Sequence, residues 1–549
     1  MNIASSHNYN SRRSPVLSSA GMVASSQPLA SMAGIDILGK GGNAADAAVA
    51  VAAALNVTQP CSTGLGGDVF CLYYEASSGK IIGLNGSGRS PAALSLERIT
   101  REGFSGFLPD IHPYTVTVPG APAAWADVLD RLGRLSLSEV LAPAIGLAEN
   151  GFPVAPLASR WWANGAKLQL SKQRFGKELM VGDRGPLPGE IIRLPTLANS
   201  LKTLARDGKQ PFYEGAIAEK IVAAVSDAGG ALALSDLAGH ASEWVDPIGI
   251  SYRGIKIWEC PPNGQGLAAL LALNIAGQFD MRDIAADSAE RYHLLIECMR
   301  LAFADTAYYV ADPDFSAAPL AELLSDGYAN SRSKLIDPAS VNENPFQGRP
   351  ADRLSAGSDT VYFCVVDGEG NGCSFINSNY MGFGTGIVPQ GCGYSIQNRG
   401  RGFRLEKGHP NCFEPGKRPY HTIIPGLATD ATDNSLFAVF GVMGGMMQAQ
   451  GHLQVVSAAV DDDLDPQAAL DRARFQLVGG RADGGVRLED GVNPTVPEGL
   501  RQKGQEIEIV SGVGHSSFGV GQIIQRTADG VLWAGSDPRS DGCALGQLW

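Results

Sequence analysis

The sequence predicts an α+β protein in which stacked antiparallel sheets are covered by helices. Residues 361–366 (VYFCVV) form a run of β-branched and aromatic residues, and 367–372 (DGEGNG) is turn chemistry. Residues 373–378 open a second apolar run, so the three segments read as a β-hairpin. Helical patterns dominate the chain before it and strand patterns the chain after it. No regular strand–helix–strand alternation runs through the sequence, which argues against a parallel sheet.

In chain order, residues 25–57 read as mostly helical, with the alanine-dense AADAAVAVAAAL following a turn at Gly39, Gly41 and Gly42. A glycine-rich turn (Gly64, Gly66, Gly67) then feeds a strand over 69–74. Helices are expected over 123–132, 137–150, 214–228, 268–276 and 288–309. Residues 318–358 become loop-like, with Pro338, Pro345 and Pro350 among many small polar residues, and form the best internal boundary. Beyond them, strands are expected over 361–366, 373–378, 436–441, 505–510 and 521–525, accompanied by helices over 448–461 and 466–475.

At 549 residues the chain implies one large layered body or two or three domains. Its 44% hydrophobic and 18% charged residues are ample for a packed core, and only the first dozen residues look disordered. A net charge of −13, without any basic run, excludes a nucleic-acid face and leaves a small molecule as the expected partner. The nine cysteines include no C-x-x-C pair, and the eight histidines have no metal-ligand spacing, so neither a disulfide framework nor a metal is expected. No apolar signal-peptide core opens the sequence, and residues 44–57 are too short to span a bilayer, so the expectation is a cytoplasmic protein.

Familiar catalytic motifs are missing: no G-x-S-x-G, no H-E-x-x-H and no phosphate-binding P-loop. The G-F-G-T-G run at 382–386 is followed by Pro389 and more glycines, which cannot open a dinucleotide-binding helix. Two places carry chemistry. Residues 437–443 form an apolar strand that runs into Gly444 and Gly445 and then a helix, whose first free N–H groups suit an anion or a developing oxyanion. A plain strand–turn–helix joint fits this stretch as well. Thr360 stands at the mouth of the first hairpin strand, directly after a flexible polar leader. On that stretch alone, the commoner reading is an ordinary strand that happens to begin with threonine.

Taken together, GKGGNAADAAVA, TGLGGD, SGRSP, DTVYFCVVD, GTGI, KRPYHTIIP, the double glycine and GSDPRS occur in one order. This set resembles the γ-glutamyltransferase family from about Ser14 to Gly542. The resemblance implies an N-terminal-nucleophile hydrolase with a four-layer αββα sandwich, made as a proenzyme that cuts itself before its nucleophile. That cut falls between Asp359 and Thr360, giving a large subunit of residues 1–359 and a small subunit of 360–549, both parts of one body that can assemble further. Thr360 matches the nucleophile, and its freed α-amine, with a pKa near ~7.7–8.0, would serve as the general base. Ser378 matches a hydroxyl touching the nucleophile, and Gly444 and Gly445 match the oxyanion hole. No cofactor is implied.

The substrate pocket departs from the family. Arg89 matches the arginine that grips a substrate carboxylate, which implies an acidic acyl group. Where true transferases hold the glutamyl α-amine with an asparagine, a glutamine and an aspartate, this chain has Tyr380, Arg399 and Gly402, while His421 and Thr422 replace a serine pair. Losing an acid and gaining Arg399 disfavours an α-ammonium. The segment 403–417 is shorter than a transferase lid. These features look more like the amidohydrolase and cephalosporin-acylase branch. The expectation is a self-processing amidohydrolase that removes a glutaryl, oxamyl or γ-glutamyl-like group through an acyl-Thr360 ester. The alternatives are a γ-glutamyltransferase or glutathione hydrolase, and a silent binding homologue that keeps the fold.

Overall fold

The strand Asp359–Val366 lies deep in the body, with every residue from Thr360 to Val366 buried. Its β-branched and aromatic side chains are buried on both faces, as a strand with a layer on each side requires. The computed structural model describes residues 13–346 and 359–548. Among them, this strand belongs to a seven-stranded sheet with the order Cys543–Gly546, Met22–Ser25, Asp359–Val366, Gly372–Tyr380, Asp68–Glu75, Lys80–Gly86 and Glu243–Val245. A second seven-stranded sheet runs Val16–Ser18, Leu532–Ser536, Val520–Arg526, Leu436–Met443, Gly426–Asp430, Ile255–Glu259 and Ile248–Tyr252. Neighbouring strands in both sheets are antiparallel.

The sheets pack face to face. Tyr362 of the first lies so close over Gly441 of the second that a Cβ there would enter its ring. Helices cover both outer faces. Ala44–Thr58 is buried along its whole length against the first sheet, started by a capping box of Asn43 and Asp46. Its first amide also donates to the Asp367 carboxylate at 2.9 Å, tying the helix to the hairpin turn. Gly266–Ala276, Ala289–Tyr309 and Met447–Val460 form the second helix layer, with their own apolar core against the other sheet. The α+β class and the αββα layering are as expected.

Local differences have local causes. Residues 25–57 are not helical throughout: Met22–Ser25 is a buried strand, and the helix Pro28–Gly39 begins only where Pro28 supplies the first-turn φ. The stretch expected to be loop-like contains the short helices Leu320–Leu323 and Asp326–Ser333, the latter capped by Ser325; its residues 347–358 lie outside the described residues, as do the first twelve. The helix expected over 466–475 stops at Asp471, and Phe475–Leu477 is a strand of a small three-stranded sheet. Among the described residues, no helix is long and apolar enough to cross a membrane.

Candidate active site

Thr360 sits at a flaw in the sheet. Asp359 pairs with Tyr380 and Val361 with Asn377, so the partner strand carries one residue more across this step, a β-bulge. Tyr380 takes up the distortion with φ +80, a conformation rare outside glycine. The bulge turns Ser378 toward Thr360. Thr360 Oγ1 and Ser378 Oγ lie 3.0 Å apart, and the Tyr380 amide donates to the same serine oxygen at 2.8 Å. Gly67 allows this approach, since a Cβ there would run into the Ser378 carbonyl.

Thr360 lines a cavity of about 60 Å³ with Gly444, Ser62, Trp161, Ser516 and Gly519. Gly444 and Gly445 have φ of +130 and +60, open to glycine at little cost. The turn's own hydrogen bonds use its carbonyls: Gly444 O accepts from Met447 N at 3.0 Å, and Gly445 O from Gln265 Nε2 at 2.8 Å. Gln265 also donates to Thr422 O at 2.5 Å, so one buried amide couples the double-glycine turn to residues 421–422.

Behind Ser378 stands Arg399, fully buried. It donates from Nη2 to Ser378 Oγ at 3.1 Å and from Nη1 to Thr422 Oγ1 at 2.8 Å. Its guanidinium lies 4.4 Å from the centre of the Tyr380 ring. Burial lowers its pKa to about 10, opposed by the charge of Asp68. Asp68 itself is pushed up to about 6 by burial, against the pull of Arg399 and of donors from Gln397, Gly120 and Gly88. Its second oxygen lies 3.1 Å from His421 Nε2. Burial holds His421 well below the usual imidazole range, so this contact is a hydrogen bond and not an ion pair. His421 Nδ1 accepts the Ile423 amide, which assigns the proton to Nε2.

The expected residues Thr360, Ser378, Tyr380, Arg399, His421 and Thr422 thus form one connected set. Arg89 is placed otherwise. Its guanidinium donates to Asp312 at 2.9 Å, Asp314 at 2.7 Å, Glu243 at 3.3 Å and the Gly416 carbonyl at 3.1 Å. Gly402 has no space for a longer residue, as a Cβ would sit 2.6 Å from the Tyr420 carbonyl. Sequence reasoning missed Asp68 and Gln265. The signal for Asp68 was an acid opening an apolar strand directly after G-L-G-G, where a charge needs buried partners.

A threonine opening a central strand between two face-packed antiparallel sheets, with helices outside, defines the class of N-terminal-nucleophile hydrolases. The family model described as gamma-glutamyltranspeptidase matches residues 30–547. The chain is 36% identical over 539 residues to the "Glutathione hydrolase-like YwrD proenzyme" of Bacillus subtilis, covering 97% of this chain and 99% of that protein. It is 32% identical to the "Oxamate amidohydrolase proenzyme" of Klebsiella pneumoniae, covering 96% and 99%. Among solved structures, cephalosporin acylase from Bacillus halodurans superposes with a TM-score of 0.90 at 42% identity, each chain covered completely. The chain belongs to the γ-glutamyltranspeptidase family.

Proposed function

We propose that the protein is a self-processing amidohydrolase that removes a short acidic acyl group from an amide through an ester on Thr360. The observation that carries this reading is the Thr360 hydroxyl, 3.0 Å from Ser378 Oγ, on the wall of the cavity that Gly444 also lines. In the precursor, Thr360 Oγ1 attacks the Asp359 carbonyl. The Asp359–Thr360 amide becomes an ester, and water cleaves it to leave a free α-amine on Thr360. That amine has a pKa near ~7.7–8.0 and can take the hydroxyl proton in each later turnover.

In the mature cycle the Thr360 oxygen bonds to the substrate carbonyl carbon while the N–H groups of Gly444 and Gly445 receive the oxyanion. The C–N bond then breaks, and the departing amine takes the proton from the Thr360 ammonium. Water, activated by the same amine, hydrolyses the ester. A γ-glutamyl group would bring its α-ammonium toward Arg399, and Gly402 offers no carboxylate in compensation, so hydrolysis of acyl groups without that ammonium is favoured over γ-glutamyl transfer. The cytoplasm is the proposed location, and two subunits from one precursor the proposed assembly.

A denaturing gel with N-terminal sequencing tests the reading. The wild-type protein is expected to give chains of 359 and 190 residues, the smaller beginning at Thr360, and Thr360→Ala a single chain of 549. An uncut wild-type protein that hydrolyses acyl amides would overturn it, and one uncut and inactive would be a silent homologue.

A further inference from the structure

An oxyanion turn must hold its N–H groups still against the nucleophile, yet glycine is the residue least able to fix its own backbone. Among the described residues, the N–H groups of Gly444 and Gly445 donate no backbone hydrogen bond, which leaves both for a ligand. The carbonyls of the turn do the holding. Met447 N donates to Gly444 O at 3.0 Å, and Gln448 N to Gly445 O at 3.2 Å. Both donors stand three residues further along the chain, so these bonds shape the turn but move with it. Gln265 reaches it from outside. Its Nε2 donates to Gly445 O at 2.8 Å across 180 residues of sequence.

Gln265 is fully buried, and both polar atoms of its side chain are used. Nε2 also donates to Thr422 O at 2.5 Å, and Oε1 accepts from the Tyr420 hydroxyl at 3.1 Å. Its backbone N–H donates to His421 O at 2.9 Å. The two carbonyl partners only accept, so the amide can face them with its nitrogen alone, and its orientation is assigned. Residues 421–422 also belong to the frame of the nucleophile. Thr422 Oγ1 accepts from Arg399, Arg399 donates to Ser378, and Ser378 Oγ lies 3.0 Å from Thr360 Oγ1. One connected series of buried polar contacts therefore runs from the attacking hydroxyl to the turn, and Gln265 is the link that joins the turn to it.

We propose that Gln265 is a positioning residue for the reaction: it sets the N–H groups of Gly444 and Gly445 at their distance from Thr360, and so acts on the transition state more than on substrate binding. This rests on the acyl-Thr360 reading above. Gln265 lies before the proposed cut and Gly445 after it, so in the processed enzyme the large product aligns the oxyanion turn carried by the small one.

The test replaces Gln265 with methionine, which keeps its length and removes both donated bonds, and with glutamate, which keeps its shape and turns the donor into an acceptor. Kinetics use whichever of glutaryl-, oxamyl- and γ-glutamyl-p-nitroanilide the processed wild type hydrolyses fastest. Gln265→Met is expected to lower kcat about 10- to 100-fold, the effect of a misplacement near 1 Å, with KM within about threefold of wild type. Gln265→Glu should be slower still at about pH 8, where an ionised carboxylate would face two carbonyl oxygens. Its kcat relative to wild type should recover as pH falls, because the protonated acid again donates to one of them. The Gln265→Met ratio should stay flat over that range, which accounts for the groups common to all three proteins: the Thr360 amine, Tyr420, Arg399 beside Thr422, and the Glu259–His452 pair next to Gly266. Hydrogen exchange reads the anchoring without turnover: residues 441–450 should exchange faster in both variants, and 361–366 as slowly as in wild type. Where a variant stays uncut, Thr360→Ala is its reference for exchange. A change confined to KM, a Gln265→Glu ratio that ignores pH, or a turn that exchanges no faster in either variant overturns the assignment. Should the processed wild type hydrolyse none of these amides, the acyl-enzyme reading falls instead, and exchange still decides whether Gln265 anchors the turn.

Discussion

Arg474 and Arg539 are buried between Asp537 and Glu489, two cations against two anions. Arg474 meets Asp537 at 2.6 Å, Arg539 meets Asp537 at 3.0 Å and also pairs with Glu489. Asp537 further accepts the Gly521 amide at 2.8 Å, and Arg474 donates to the Gly519 carbonyl at 3.1 Å beside the double-glycine turn. The G-S-D-P-R-S segment supplies Asp537 and Arg539 of this balanced cluster, which makes it a brace. Around Arg399 the bookkeeping is left open: one cation, hydroxyl partners, and an Asp68 whose oxygens are taken by Gln397, Gly88, Gly120 and His421. A closed charge cluster holds a loop in place, and an open one is ready for a ligand's charge.

Breaking the brace should have the largest effect on stability. Asp537→Asn leaves two buried guanidiniums facing one anion and is expected to cost about 3–5 kcal/mol, measured by urea unfolding. Asp68 comes next and shows itself through pH. Its folded pKa is raised from 3.8 to about 6, so the folded state holds the proton more tightly than the unfolded chain. Stability from this group is complete below about pH 4 and is lost as pH rises through about 6, on the order of 2–3 kcal/mol. In Asp68→Asn this loss should vanish, and thermal unfolding at pH 4.5 and 7 compared with wild type reads it directly. Arg399→Met removes a cation with no ion-pair partner, so its unfolding free energy should stay within about 1 kcal/mol of wild type or rise, while acidic acyl amides lose turnover. A large destabilisation would place Arg399 with the brace. Arg89→Gln breaks pairs with Asp314 and Glu243 that solvent screens to under about 1 kcal/mol each, but it also takes the guanidinium from the buried Asp312, so its destabilisation should exceed that of Arg399→Met.

Much of the layered body was legible in local pattern. The hairpin after Thr360 announced itself by an apolar run, a D-G-E-G-N-G turn and a second run, and the alanine-dense helix by its composition. Short strands were not legible. Met22–Ser25 and Cys543–Gly546 are four residues each and exist because each borrows hydrogen bonds from a partner more than five hundred residues away in sequence. Thr360 stood out because it follows a polar leader at the mouth of an apolar strand, and the double glycine because it ends one. The state of Arg399 did not, because which carboxylates from elsewhere in the chain pack near it is a property of the folded structure, and only Glu406 lies within ten residues of it in sequence.

The order of strands in the two sheets bears on what a single cut would do. In the first sheet, Asp359–Val366 and Gly372–Tyr380 lie between Met22–Ser25 and Asp68–Glu75, while Cys543–Gly546 closes the outer edge of Met22–Ser25. In the second, four strands from the C-terminal part are clasped between Val16–Ser18 and Ile255–Glu259. The two products of the proposed processing would therefore be interleaved like the fingers of folded hands. Neither could leave without baring central strands of both sheets, so exchange of one product between molecules would be as slow as global unfolding, and the cut would be a permanent mark of each molecule's own history.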